Sequence, residues 1–474
     1  MKESVLITGN FNILHSGHLR LFRYAKELAK KLYVGVNSED RSTNKVVAQN
    51  IRIENLKSIN LIDKVIVIDK SIKKLIEDIK PDIVLKGKEH EKKNNIEKSI
   101  IEKYGGKLIF GSGEIFIKTS DLVKNKSNPK YNKFTTNISA DFLKRNKIKL
   151  DSDIIAIIKK FKNLKTLVIG DLIIDEYIES IPLGMSQEDP TIVVAPFSSN
   201  KFVGGAGIVA AHASNLGSKV DFISVCGDDE LYEYAKIELK KNNVKTFLIK
   251  DFSRPTTLKK RYRAKNKTLL RVSHLNQSMI EKHIQAKILK IIKEKIDNYN
   301  LVVFSDFNYG CLPENLIKKI TDLCISKNIY VVADCQSSSQ IGDISKYKNT
   351  YLITPTEREA RLAMKDNQSG LIVLCQNILK KTKSKNIFLK LGEEGVIIYS
   401  SDGSKSKTDS VSALNPSAKD VAGAGDSMLI SSGLSIAAGA DIWTSSLIGS
   451  IAAAIQVSKT GNLPITSYDI LNQL

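Results

Sequence analysis

A chain of 474 residues is longer than one hydrophobic core sustains, so two or three domains are expected. With 42% hydrophobic residues it can build real cores, yet no apolar run approaches the roughly 20 residues of a membrane span, which argues against a membrane protein. The formal net charge of +21 comes from lysines spread along the whole chain rather than gathered in a stripe, so it argues against a nucleic-acid surface and leaves an attraction for phosphorylated substrates.

The opening residues Met1-Lys2-Glu3-Ser4-Val5-Leu6-Ile7-Thr8-Gly9 turn polar too soon for a signal peptide and read as a first buried strand. An amphipathic helix is expected over 19–31, with Leu21, Phe22, Ala25, Leu28 and Ala29 on one side. Strands follow at 31–36, 65–68, 83–85 and 107–110, and strands alternating with helices predict a parallel sheet covered on both faces. The polar run from Lys124 to Lys133, broken by Pro129, is the best linker candidate in the chain. The expected organisation is therefore a domain of residues 1–126, a linker of 127–150 and a second domain of 151–474. In that second domain a helical stretch over 151–161 leads into strands at 166–169, 220–225, 301–304, 330–333, 351–353 and 387–389. Residues 178–195 and 255–272 read instead as extended strands without intervening helices, a small β-lid on an α/β body. The cysteines Cys226, Cys311, Cys324, Cys335 and Cys375 are scattered, form no C-x-x-C pair and suggest neither a disulfide framework nor a zinc site, in keeping with a cytoplasmic protein.

The first segment that carries chemistry is Gly9-Asn10-Phe11-Asn12-Ile13-Leu14-His15-Ser16-Gly17-His18, which follows the first strand and opens the first helix. An α/β sheet places ligands there, and a helix N-terminus offers free N–H groups to phosphate. His15 and His18 add two side-chain donors, while Gly17 lets backbone and ligand approach closely. A metal site is the weaker reading, because no third ligand lies close in sequence.

These residues resemble the H-x-G-H nucleotidyltransferases, a family that includes cytidylyltransferases and sugar-phosphate adenylyltransferases. The resemblance implies a Rossmann-like domain in which His15 and His18 stabilise the triphosphate in the transition state. It implies nucleotide or phosphate contacts at Gly9, Phe11 and Gly17, at Lys86 of Lys86-Gly87, and at Thr119 and Ser120 at the start of a last helix. Val36-Asn37-Ser38 matches a strand-end motif and Arg52 a basic helix residue. The chain departs from the family at Asn12, where Asp is usual, and at Lys118, which stands in place of a Ser.

The strongest motif is Asp420-Val421-Ala422-Gly423-Ala424-Gly425-Asp426-Ser427, followed by an apolar helix over 428–438. Its small residues permit a tight turn whose N–H groups converge on an anion at the helix start. Asp426 lies at the same turn, where it can accept a proton from a hydroxyl, and a base beside an anion hole is what phosphoryl transfer requires.

From about residue 165 onward the chain resembles the ribokinase-like (PfkB) sugar kinases. The resemblance implies sugar contacts from Asp171 and Asp175 after the first strand and from the Gly204-Gly205 loop. It implies a nucleotide-side turn at Gly392 and Gly395, an anion hole at Gly423, Ala424 and Gly425, and Asp426 as the catalytic base. Glu359, in Thr356-Glu357-Arg358-Glu359, matches the end of a motif that organises Mg2+ indirectly. The lid runs 185–190 and 255–261, together with 305–310, resemble the heptose-7-phosphate kinase half of bacterial ADP-heptose synthases. Lys259, Arg261 and Arg271 would suit a substrate that already carries a phosphate, or are solvated lid charges. Ile208, Ser273 and Thr356 depart from the family at positions where it has Asn, Asp and Asn.

Together the resemblances imply a bifunctional enzyme. It phosphorylates a sugar phosphate, here D-glycero-D-manno-heptose 7-phosphate, at the anomeric position with ATP and Mg2+. It then transfers a nucleotidyl group, AMP from ATP with CTP as the other candidate donor, to the sugar 1-phosphate, giving an activated nucleotide sugar. Its partners would be these small molecules and a second copy bound through the kinase domain, with no nucleic acid and no membrane. The synthases resembled carry the two domains in the reverse order. Two alternatives stand: a different sugar kinase fused to a cytidylyltransferase, or one domain turned into a non-catalytic binding module.

Overall fold

The computed structural model describes residues 2–12, 14, 16–39, 47–69, 71–87, 95–111, 133–264, 267–337, 340–402, 405–415 and 418–474. The chain divides into two compact units, residues 1–129 with 366–374, and residues 130–365 with 375–474.

The first unit is built on five parallel strands: β1 Lys2–Gly9, β2 Ala29–Asn37, β3 Lys64–Ile68, β4 Ile83–Gly87 and β5 Lys107–Gly111, in the order β3-β2-β1-β4-β5. Their apolar runs are buried on both faces, as a parallel sheet demands. Val5, Ile7, Leu32, Val34 and Val36 pack with Phe22 and Ala25 of the helix Ser16–Leu28. Leu6 and Val84 face Ile76, Ile100 and Ile101 on the other side. The first helix stops at Leu28, three residues before the expected end, because Ala29 already pairs with Lys2 and begins β2. Chain order reverses on either side of β1, so the loop after Gly9 lies at the switch point where such sheets bind ligands.

The second unit carries a nine-stranded sheet and a four-stranded one. The large sheet contains β6 Lys165–Gly170, β9 Lys219–Cys226, β10 Val244–Lys250, β13 Leu301–Asp306, β14 Tyr330–Cys335, β15 Leu352–Ile353, β16 Asn386–Lys390, β17 Val396–Asp402 and β18 Lys405–Val411. Its order is β10-β9-β6-β13-β14-β15-β16-β17-β18, parallel up to β16 and antiparallel beyond it. The helices Ala206–Asn215, Ala424–Ala437 and Ile442–Val457 cover one face with almost wholly buried, small-residue surfaces. The lid is the smaller sheet: β7 Leu172–Met185, β8 Ile192–Gly205, β11 Thr257–Ala264 and β12 Lys267–His274, in the order β12-β11-β7-β8. The extended runs read from the sequence thus form one sheet, and β10, β17 and β18 are strands that the reading did not list.

The expected linker of 127–150 is too long at its C-terminal end. Residues from Phe134 onward pack into the second unit, where the helix Ala140–Asn146 buries Phe142 to 1% exposure in the main core. The Phe134 N–H donates to Gln473 Oε1 at 2.8 Å, the Asn137 amide donates to the Leu414 carbonyl at 2.7 Å, and Arg145 pairs with Asp409 at 2.7 Å. A fragment of residues 133–474 should therefore fold and keep the activity of this unit. One starting at 151 loses the Phe142 anchor, whose aromatic burial alone is worth about 3–5 kcal/mol, and should melt many degrees lower. Thermal denaturation of the two fragments checks this; equal melting temperatures would show that 134–150 adds nothing. Among the described residues no helix is long and apolar enough to cross a membrane.

Candidate functional site

In the second unit the C-terminal ends of the parallel strands converge on a cavity of about 520 Å³. One wall is the turn before the helix Ala424–Ala437. Gly423 takes a left-handed conformation (φ +79°) as the N-cap, which turns the chain so that the first helical N–H groups face the cavity. Ala422, Gly423, Ala424, Gly425 and Asp426 line it together with Gly392 and Gly395 from the β16–β17 turn. Ala413, Leu414, Met428, Ala453, Ala454 and Val457 supply an apolar end fit for a flat heterocycle. The expected nucleotide-side residues of this unit are thus brought to one place.

Asp426, in the first turn of that helix, is 5% exposed and accepts a hydrogen bond from the Gln336 amide at 2.8 Å. Burial, and then the neighbouring Asp334 carboxylate, push its pKa up to about 7, against the pull of Lys390. A carboxylate so poised suits a general base at neutral pH. Glu359 also lines the cavity, with both oxygens engaged: Oε1 accepts from Ser337 N–H at 2.9 Å and Oε2 from Thr356 N–H at 2.7 Å. Thr356 completes a capping box by accepting from the Glu359 N–H at 3.2 Å. The departure from Asn at this position therefore leaves the helix cap, and the placing of Glu359, intact.

On the lid side Asp175 of β7 is buried between two donors. Its Oδ1 pairs with Arg261 of β11, and its Oδ2 accepts from the Asn462 amide at 2.8 Å. Gly204 passes so close that a Cβ there would lie 2.2 Å from Asp175 Oδ2, which accounts for a glycine in this loop. The neighbouring Gly205 caps the helix Ala206–Asn215, in which Ile208 is buried. Arg261 and Arg263 stack on the Tyr177 ring, whose hydroxyl donates to Asp420, in the turn before the helix Ala424–Ala437, at 3.2 Å. Lys259 lies over the rings of Phe307 and Tyr309 at 5.1 and 5.0 Å. Arg271 is exposed on β12, directly opposite Arg261 in the ladder.

Asp171 does not join this group. Its carboxylate accepts the backbone N–H groups of Phe307 (2.8 Å), Tyr309 (3.3 Å) and Cys311 (3.3 Å), so it holds the loop after β13. Burial and the nearby Asp306 raise its pKa to about 7.

In the first unit Gly9 ends β1, and Phe11 follows with a positive φ of 51° and its ring buried. His18 sits in the first turns of the helix Ser16–Leu28, its ring 5.1 Å from that of Phe11 and 6.3 Å from that of Phe22. Gly17 precedes it in the same helix. Arg52 is a buried clamp: its guanidinium donates to the carbonyls of Asn10 (2.8 Å), Asn37 (2.9 Å) and Val47 (3.1 Å), tying the ends of β1 and β2 together. Lys86 at the end of β4 pairs with the buried Glu97 at 2.9 Å, so a phosphate there would compete with a carboxylate already in place. His15, Thr119 and Ser120 lie outside the described residues.

The sequence reading did not single out Gln336, Asp334, Lys390, Asn462 or Tyr177. The first three sit at the ends of the parallel strands β14 and β16, a position that marks ligand contacts in such sheets.

The model of the pfkB family of carbohydrate kinases matches residues 164–466, and the Cytidylyltransferase-like model matches residues 6–140. Among curated proteins, the Bifunctional protein HldE of Desulfatibacillum aliphaticivorans is 31% identical over 320 residues, 66% of this chain and 64% of the relative. The Bifunctional protein HldE of Sulfurimonas denitrificans is 32% identical over 318 residues, 65% of this chain and 63% of that one. The chain thus spans a little under two thirds of the length of these relatives. Among solved structures, the ribokinase from Thermotoga maritima aligns with a TM-score of 0.52 at 18% identity, covering 65% of this chain and 99% of that one. Phosphofructokinase-2 from Escherichia coli aligns at 0.53 and 15%, covering 65% and 97%. At such identities the likeness speaks for the fold alone.

Proposed function

The chain belongs to the pfkB family of carbohydrate kinases, and from that premise we propose that it performs two reactions in sequence. In the first, the anomeric hydroxyl of a sugar phosphate loses its proton to the Asp426 carboxylate. The freed oxygen attacks the γ-phosphorus of ATP, the bond to the β-phosphate oxygen breaks, and ADP leaves. The N–H groups at Gly423, Ala424 and Gly425 stabilise the charge on the transferring group. The observation that carries this reading is the Asp426 carboxylate in the first turn of the anion-binding helix, in the wall of the 520 Å³ cavity. Magnesium bound with the nucleotide would neutralise phosphate charge, and Glu359, a hard oxygen donor in the cavity wall, would hold it indirectly.

In the second reaction the sugar 1-phosphate attacks the α-phosphorus of a nucleoside triphosphate in the first unit. Pyrophosphate leaves, its charge met by His18 and His15 and by the start of the helix Ser16–Leu28. The lid strands resemble a heptose-7-phosphate kinase, so the sugar is D-glycero-D-manno-heptose 7-phosphate and the product an ADP-heptose destined for surface polysaccharide. The Cytidylyltransferase-like match over residues 6–140 keeps CTP as the second candidate donor. The enzyme works in the cytoplasm, consistent with five buried cysteines that are not joined in disulfides.

The same reading makes it a homodimer through the lid. Ile181, Leu183, Met185, Ile192 and Phe197 are all more than half exposed on the β7–β8 ribbon, an apolar surface suited to a second copy. Mass spectrometry of the products formed from ATP, CTP and a panel of phosphorylated sugars tests the function. A sugar 1-phosphate and then a nucleotide sugar are expected from the heptose 7-phosphate. If no panel member yields ADP, the kinase assignment fails.

A further inference from the structure

Among the described residues that line the kinase cavity, Lys390 is the one cationic side chain, set against the carboxylates of Glu359, Glu393 and Asp426. It ends β16, and its ammonium donates to both oxygens of Asp334 at the end of β14, at 3.0 and 2.8 Å. The Asp334 side chain is fully buried, and that of Lys390 is 12% exposed. The ammonium also reaches the anion hole: a Cβ built on Gly425 would lie 3.0 Å from Lys390 Nζ and 3.7 Å from Asp334 Oδ2. A lysine that served only to neutralise Asp334 would not need to line the nucleotide cavity or to abut the helix start. An ammonium has three donors and two face Asp334, which leaves one for a phosphate oxygen.

We propose that Lys390 is a catalytic residue of the kinase, contacting the transferring phosphoryl group beside the N–H groups at the start of the Ala424–Ala437 helix, with Asp334 as the positioning residue that holds it there. ATP carries several negative charges into a cavity lined by three carboxylates, so a fixed cation at the reacting phosphate is the contribution the rest of the wall lacks. The closeness of Gly425 is part of the device, since a side chain at that position would stand between the ammonium and the phosphate site.

The inference rests on the kinase reading, and the test separates the two. Wild-type full-length chain is assayed first for ADP release with the sugar phosphate; no turnover there sinks the kinase reading itself. Given turnover, Lys390→Met combined with Asp334→Asn removes the ion pair without leaving a buried charge, and Lys390→Gln keeps a donor to Asp334. Each variant is checked for an unchanged melting transition, and the folded ones are assayed. Both should lose about 10²-fold in kcat, as for removal of one preorganised donor, with ADP affinity weakened less than about 10-fold. A folded variant that keeps kcat within about threefold of wild type overturns the proposal, as does a loss confined to ATP binding.

Discussion

Asp426→Asn should lower the kinase kcat by at least about 10²-fold while leaving ADP binding and the melting transition in place. The amide is the same size as the carboxylate and can still meet Gln336, which now donates to Asp426 Oδ1 at 2.8 Å, but it cannot take the proton of a sugar hydroxyl. The wild-type pH profile gives the same group a second signature. Burial and Asp334 raise the Asp426 pKa to about 7, so the acid form, inactive as a base, dominates below that value. kcat/KM should therefore rise about tenfold per pH unit up to neutrality and level off above it, the limb expected of a single essential base. Near-normal phosphorylation by the Asn variant, or a profile flat between pH 5 and 8, would remove Asp426 from this role.

His18→Ala should abolish nucleotidyl transfer by about 10²- to 10³-fold and leave the kinase untouched, so that sugar 1-phosphate accumulates. The ring it removes forms a triad with those of Phe11 and Phe22, at centroid distances of 5.1 and 6.3 Å, at the start of the helix Ser16–Leu28. The kinase cavity belongs to the other unit and carries its own base and anion hole. A kinase that also stops in this variant would contradict two independent sites. Quantifying the sugar 1-phosphate and the nucleotide sugar by mass spectrometry in one reaction mixture reads the outcome directly.

The sequence disclosed the parts of this molecule that are written locally. Alternation of apolar strands with helices announced both sheets, because a parallel strand buried on both faces must be apolar throughout. The run from Asp420 to Ser427 announced an anion hole, because small residues at a helix start have few other uses. What stayed hidden depends on pairing across the fold. Lys390 meets Asp334 across 56 residues of chain, and Asn462 meets Asp175 across 287, with no local pattern to announce either contact. Asp171 matched a sugar-binding position, yet its oxygens hold the 307–311 loop, an outcome set by where β13 ends rather than by the residues around Asp171. The segment 134–150 looked like a linker because it is polar on average; its single Phe142 anchor decides otherwise.

The strand β7 lives in two environments. From Leu172 to Ser180 it is largely buried, and over Ile173–Glu179 it pairs with β11 as well as β8; from Ile181 to Met185 it is exposed, with β8 as its neighbour in the sheet. The ladder slips between Glu179 and Ser180 and again between Pro182 and Gly184, at the place where support from β11 ends. A ribbon of two strands is far more compliant than a sheet of four, and bulges concentrate its bending. The lid therefore behaves as a leaf spring clamped at one end. Its root, with Asp175 and Tyr177, is tied to the Asp420 loop through the Tyr177 hydroxyl, while its tip has only β8 beside it. Any force applied at the tip is felt at the root as torsion in the strand that carries Asp175.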